Sequence, residues 1–365
     1  MSLVLALLTL AQAQEVSEES APPSDYDIEG FEEMEEDGVG RLRGVASTHV
    51  EFSGYTALKL HLGHDAAAIV TTAGFSPDTS GVVLQVRPAR PVLGQLHASW
   101  SPTEGFAMPE AYAELAFWRR RVQLRAGRWL TPIGLYNTER YAAVSRIVPE
   151  LPIASEVFFG VPASSDGLAL SSGLNFGSNN RLDGELWLIN SPRADGDAGL
   201  VPAPYEGAAA PLSAGARLGV SLDERLNVGV SGQRGTVPGD PLQTLSLAGV
   251  YATYAGERLR VDGEWLAHQL SFMADFGPLK VTTTGLTLAA GYAVVPRVEP
   301  VAQLEWVRLS SDSVVGGLRL TGGVNVVPFP ERWPDAHIGV AYAHHIDALG
   351  YWRDSRAIGQ VALGF

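Results

Sequence analysis

The chain has 365 residues, 46% of them hydrophobic, with 40 glycines and no cysteine. This excludes a polytopic helical membrane protein, thiolate metal sites and cysteine nucleophiles. The formal charge of −14 belongs to one segment: eleven of the 40 acids lie between Gln14 and Gly40, where there is no Lys or Arg, leaving 29 acids against 26 bases elsewhere. That nearly neutral body excludes a nucleic-acid binder built on a basic surface.

Residues 1–13, MSLVLALLTLAQA, form the one long apolar run. It is shorter than the roughly 20 residues a membrane helix needs. Ala11-Gln12-Ala13 supplies a small-x-small cleavage pattern, so residues 1–13 read as a secretory signal peptide, although the segment has no Lys or Arg. Residues 14–43 follow as an acidic extension. Glu32, Glu33, Glu35, Glu36 and Asp37 repel one another and Pro22-Pro23 blocks a helix start, so this stretch is expected to be a disordered periplasmic extension. It is also a candidate docking segment for a basic periplasmic partner, or a soft plug.

From residue 44 to 365 the pattern becomes short segments in which apolar residues alternate with polar or small ones, as in Leu218–Leu222 and Leu259–Trp265. Sixteen strands are expected, near 50–62, 81–87, 92–101, 108–117, 121–130, 165–176, 181–190, 213–222, 225–234, 243–254, 257–270, 280–293, 297–309, 315–326, 335–346 and 355–365. Many are about ten residues or longer, the length a tilted strand needs to cross a bilayer, where soluble strands usually stop at about five or six. An even count puts both ends of the barrel on one side. Short connections such as Asp223-Glu224 and Trp118-Arg-Arg-Arg121 fall on that periplasmic side. Long ones fall on the other, near 63–80, 130–164 and 191–212. Trp118, Tyr251, Tyr254 and Tyr292 on the short side, and Trp100, Trp129 and Trp187 on the long side, are expected to form aromatic girdles. The fold class is therefore all-β, a transmembrane antiparallel β-barrel of about 16 strands. In the last strand Ala357, Gly359, Val361, Leu363 and Phe365 share one face and the sequence ends on the aromatic.

The segment from Ala111 to Pro192 reads AYAELAFWRRRVQLRAGRWLTPIGLYNTERY, then a loop with Pro149-Glu-Leu-Pro152, then DGLALSSGLNF and LDGELWLINSP. It resembles the phosphate-selective porin O and P superfamily, most clearly in Gly127-Arg128-Trp129-Leu130-Thr131-Pro132-Ile133-Gly134. The resemblance implies an outer-membrane porin-like channel whose third extracellular loop, here 130–164, folds inward and constricts the pore. It also implies that the terminal Phe365 is the signal read by the barrel-assembly machinery. Phosphate selectivity is not carried over, because relatives selective for phosphate line the pore with many basic residues and this chain has only Lys59 and Lys280 as lysines.

Strand parity assigns faces. On 108–117, Pro109, Ala111, Ala113, Leu115 and Phe117 are expected to face lipid, with Glu110, Tyr112 and Glu114 inward. On 121–130, Gln123, Arg125 and Gly127 face inward, with Glu114 opposite Arg125. This pair reads as a structural cross-strand contact or as a feature shaping the field of the lumen. Further pore-lining candidates are Lys59, Asp183, Glu185, Arg217, Arg258, Arg260, Asp262, Glu264, Glu305, Arg319 and Arg356. They are of mixed sign, with no single-sign ring. Arg140, Arg146 and Glu150 are candidates for the constriction loop. His61, His64, His344 and His345, with Asp65 and Asp347, are expected at the rim as solvated residues, and neither metal nor cofactor is expected. No motif for hydrolase, phosphate-loop or zinc-protease chemistry is present. The function expected is passive diffusion of ions or small polar solutes across the outer membrane of a Gram-negative bacterium. The alternative is a closed barrel acting as an anchor or partner-binding protein through its acidic segment. Expected partners are outer-membrane lipid and lipopolysaccharide, the assembly machinery, a homotrimer, and a periplasmic partner of the acidic tail.

Overall fold

The computed structural model describes residues 49–65, 70–89, 91–101, 105–118, 121–137, 146–149, 152–153, 164–191, 193–194, 200–201, 211–236, 244–274, 277–310, 314–328, 336–347 and 355–364. The expected signal peptide and acidic extension, Arg140, Glu150 and Phe365 lie outside them.

Sixteen antiparallel strands form one closed sheet. They are β1 (His49–Asp65), β2 (in two segments, Val70–Pro77 and Ser80–Ala89), β3 (Val92–Ser101), β4 (Gly105–Phe117), β5 (Val122–Leu130), β6 (Ser164–Phe176), β7 (Asn180–Asn190) and β8 (Leu212–Leu222). The second half comprises β9 (Leu226–Thr236), β10 (Thr244–Ala255), β11 (Leu259–Ala274), β12 (Gly277–Tyr292), β13 (Val298–Ser310), β14 (Val314–Val326), β15 (His337–Asp347) and β16 (Ser355–Gly364). Each pairs with its neighbours in sequence, and β16 returns to β1 in a register from Tyr55↔Gly364 to His64↔Ser355. Closure leaves no edge strand whose ladder groups would stand unpaired where water is absent.

The period-two pattern becomes two surfaces. The outer face is apolar and exposed, as at Leu168, Leu186, Leu218, Val230, Trp265 and Val340. This is the outward apolar band of a transmembrane barrel. Trp118 (77% exposed), Tyr254 and Tyr292 sit on it at the periplasmic end, and Trp100 at the opposite end. The alternate positions point into the barrel. Asp223 and Glu224 both have positive φ, 49° and 57°, and Leu222 O accepts from Arg225 N at 3.0 Å. That two-residue turn matches the twist of its flanking strands and closes the β8–β9 hairpin.

Two bulges change the faces the alternation assigns. In β2 the register passes from Tyr55↔Gly81 to Leu58↔Pro77, so Asp78 and Thr79 share the place opposite Ala57, with Asp78 N donating to Ala57 O at 2.9 Å. Residues 70–77 are therefore strand, and the expected long loop over 63–80 shrinks to a connection at 66–69. In β4 the register passes from His97↔Glu110 to Ser99↔Ala107. Met108 and Pro109 oppose Ala98, and Pro109 is fully buried rather than lipid-facing. A bulge accommodates a residue that has no N–H for the ladder.

Candidate functional site: the lumen and its third loop

The inner wall divides into an arc covered by the described residues of the β5–β6 connection and an arc that those residues leave open. The covered arc starts at the motif the sequence singled out. Trp129, the last inward residue of β5, is 1% exposed. Thr131 is also buried, and its carbonyl accepts from Ile133 N at 2.8 Å and Asn137 Nδ2 at 2.6 Å, which turns the chain into the barrel. Gly134 has φ +68, and a Cβ there would overlap the Glu264 carboxylate. Both conditions require glycine.

Wall side chains then satisfy the loop's peptide groups. Gly134 N donates to Ser231 Oγ (3.0 Å, β9) and Leu135 N to Glu264 Oε1 (2.6 Å, β11). Asn325 Nδ2 of β14 donates to Ile147 O (2.8 Å), and Ile153 N to Glu305 Oε1 of β13 (2.7 Å). β13 lies eight strands from β5 in a ring of sixteen, so these contacts reach across the barrel. Apolar packing accompanies them. Ile133 and Ile153 pack with Trp129, Trp187, Ile189, Leu245, Leu247, Leu266 and Val307, while Ile147 and Val148 meet Ala289 and Val301. Burying an isoleucine side chain contributes about 1.5–3 kcal/mol. Trp129 and Trp187 thus belong to this internal core and not to the extracellular girdle, and Tyr251 is likewise buried against Leu135 and Tyr136. The space for two of these rings comes from glycine neighbours: a Cβ on Gly215 would overlap the Trp187 indole, and one on Gly229 the Tyr251 ring.

The open arc carries paired charge. Lys59 Nζ lies 3.0 Å from Asp78, which also accepts from Gln360 at 3.2 Å. Glu110 accepts from Gln95 at 2.8 Å and lies 3.3 Å from His97. Arg125 bridges Glu114 (3.2 Å) and Glu185 (3.6 Å) while lying over the Tyr112 ring, 4.7 Å from its centroid. Arg217 donates to Tyr251 Oη at 3.0 Å and covers its ring at 4.6 Å. Arg181 and Asp183 pair at 2.6 Å nearer the periplasmic mouth. There a cavity of about 270 Å³ is lined by Arg121, Arg181, Asp183, Glu185, Arg217 and Tyr251, among others.

The candidates therefore separate. Lys59, Glu110, Glu114, Arg125, Glu185 and Arg217 point into the lumen on the open arc. Glu264, Glu305 and Arg319 also point inward but are buried beneath the loop. The two oxygens of Glu305 take the Arg319 guanidinium, Oε1 at 2.9 Å from Nη2 and Oε2 from Nε, and that buried pair holds the Ile153 amide. Arg260 makes a two-fold contact with Glu299 (2.9 and 2.6 Å), Asp262 is half-buried beside it, and Arg258 is exposed in the β10–β11 turn. Arg146, on the loop, is buried, with Nη1 donating to Pro149 O at 3.5 Å. Of the rim histidines, His344 bonds to Ser355 on the outer face at 2.8 Å, while His345 pairs in register with Arg319 on the inner face. Among the described residues no cluster of three or more His, Cys, Asp or Glu suits a metal ion.

Parity alone did not single out Tyr112, Asp78 and Glu299 as charge partners. One legible signal was strand 244–255, TLSLAGVYATYA, where Leu245 and Leu247 share a face with Tyr251. Large apolar residues on an inward face mark a wall that something covers.

No family model matches the chain, and no curated protein matches it. Solved structures do share its architecture. OmpT of Vibrio cholerae, in its trimer form, is 12% identical with a TM-score of 0.60, covering 87% of this chain and 99% of that one. OmpF of Salmonella typhi is 10% identical with a TM-score of 0.62, covering 87% and 97%. The anion-selective porin of Comamonas acidovorans is 12% identical with a TM-score of 0.59, covering 87% and 100%. At these identities the likeness is one of fold, and that fold is the porin-like, multi-pass β-barrel of Gram-negative outer membranes.

Proposed function

We propose that the protein is a non-enzymatic outer-membrane porin that lets ions or small polar solutes diffuse through a lumen narrowed by residues 131–163. The observation that carries this reading is the division of the inner wall. The described parts of the loop are bonded to β9, β11, β13 and β14 and packed against β5, β7 and β10–β13, and the wall they leave carries polar and charged side chains.

The motif Gly127 to Gly134 supports placing the chain with the phosphate-selective porin O and P superfamily, because its Trp, Pro and second Gly stand where the loop enters the barrel. It does not support phosphate as the solute. On the open arc Lys59, Arg125 and Arg217 each have an acidic or aromatic partner within 5 Å. The reading is a weakly selective channel with a transverse arrangement of charge. A homotrimer is also proposed. Near their extracellular ends β15 and β1–β4 turn exposed apolar side chains outward, including Ile346, Leu62, Phe75, Trp100 and Phe106. This arc, apolar apart from the His344–Ser355 contact, fits a second copy of the chain. Outer-membrane lipid surrounds the rest, and Phe365 presents the chain to the assembly machinery.

The test is osmotic swelling of liposomes containing the purified protein. Swelling is expected in small sugars and zwitterions, at rates that fall with solute size. Folded protein that gives no more swelling than empty liposomes would overturn the reading.

A further inference from the structure

We propose that the outer face of β9–β13, at its extracellular end, binds the phosphate groups of an outer-leaflet lipid headgroup. This inference rests on the outer-membrane placement above, but not on conduction. Among the described strand positions that face outward, the only ionised side chains are Arg128, Asp166, Arg234, Lys280 and Arg308. Arg128 and Asp166 neutralise each other through two bonds of 2.8 Å. The other three are cations, all exposed, all on one arc, and no ion pair to a described acid engages them.

Register places them together. Arg234 lies in a row of paired residues that runs through Ser246, Gln269, Thr282 and Ser310. Lys280 is one outward position beyond Thr282 on β12, and Arg308 one outward position short of Ser310 on β13. At about 3.3 Å per residue and 4.8 Å per strand, Lys280 and Arg308 stand roughly 13 Å apart along the strands, with Arg234 roughly 14 Å across from β12. Hydroxyl and amide side chains fill the ground between them. Just below, the same strands turn outward Val230, Val250, Trp265, Leu286 and Trp306. The site is thus a cationic, hydrogen-bonding field resting on an apolar wall.

Physics constrains its surroundings. A cation on the lipid face costs about 2–4 kcal/mol at the bilayer midplane and about 0–1 near the interface. Three cations on one arc therefore fix the interface at their level. An anionic headgroup there gains Coulomb energy from each of them. The spacing suits a headgroup bearing two phosphates, with acyl chains descending over the Trp and Val residues below. Among the described residues, the opposite side of the barrel, β15, β16 and β1–β4, turns no Lys or Arg outward.

The test is native mass spectrometry of the full-length barrel in neutral detergent with added lipid A. Diphosphorylated lipid A should stay bound to the wild type, and dephosphorylated lipid A should not. Affinity should fall roughly fivefold for each cation removed in Arg234→Gln, Lys280→Gln and Arg308→Gln and in the triple variant, while Arg128→Gln combined with Asp166→Asn leaves it unchanged. Excess inorganic phosphate should leave the lipid in place. Equal retention of the two lipids, equal retention by the triple variant, or displacement by free phosphate would each overturn the assignment. The comparison of lipids needs no variant, so a variant that fails to assemble does not shelter the idea. Loss of lipid binding with conductance intact separates this site from the channel.

Discussion

Arg125 is the residue on which the charge balance of the open arc turns. It stands between Glu114 and Glu185 and over Tyr112. Changing Arg125→Gln leaves two carboxylates facing the lumen without their cation. The expected outcome is a reversal potential, across a salt gradient, that shifts toward cation preference. Glu114→Gln should shift it the other way, and no shift in either variant would mean that the ions pass elsewhere. The register that pairs Glu114 with Arg125 was legible because β4 and β5 are regular there and joined by a short turn. Pro109 was not legible, because a bulge inserts one residue without disturbing the run of apolar positions around it. Trp129 and Trp187 were misplaced for a similar reason. An aromatic near a strand end reads alike whether it anchors at the interface or fills the lumen, and the glycine that makes room for Trp187, Gly215, lies 28 residues away.

At the scale of elements, the sixteen strands were legible because a half-buried strand must alternate, and a barrel strand must do so for long enough to span the membrane. One element escaped in part: Val70–Pro77 carries Thr, Ala, Gly and Phe without clear alternation, and the Asp78–Thr79 bulge then reverses its parity. The sequence placed the third loop, but not its seat. The bonds that hold it join residues far apart, such as Gly134 to Ser231 and Ile147 to Asn325, and no local pattern announces such contacts. The seat has two parts with different energetics. Polar anchors such as Glu264 and Glu305 satisfy loop amides that would otherwise be buried unpaired, each at a cost of about 1–3 kcal/mol. Ile133 and Ile153 add apolar burial. Replacing both, Ile133→Ser with Ile153→Ser, should release about 1.5–3 kcal/mol of packing per side chain without touching the sheet. The loop is then expected to leave the wall. In the swelling assay larger sugars should enter while the barrel keeps its heat-modifiable mobility on gels. An unchanged size limit would show that the loop does not set the aperture.

On the scale of the whole molecule, the closed sheet separates three environments. Among the described residues, the lumen holds paired charge, one outer arc is mostly apolar toward its extracellular end, and another ends in three cations without an acidic partner. This division explains why composition looks ordinary: the polar residues that would coat a soluble protein are inside the barrel or at its rims. The formal charge of −14 says little about the pore, since eleven of the surplus acids lie in residues 14–40. The central claim is that this barrel conducts. It is tested most directly by recording purified, full-length protein in planar lipid bilayers. Stepwise rises in current, each of one size and roughly proportional to salt concentration, are predicted, with larger steps from the Ile133→Ser, Ile153→Ser variant. A bilayer that stays silent with folded barrel inserted, in both proteins, would contradict the account and leave a closed barrel that serves as an anchor.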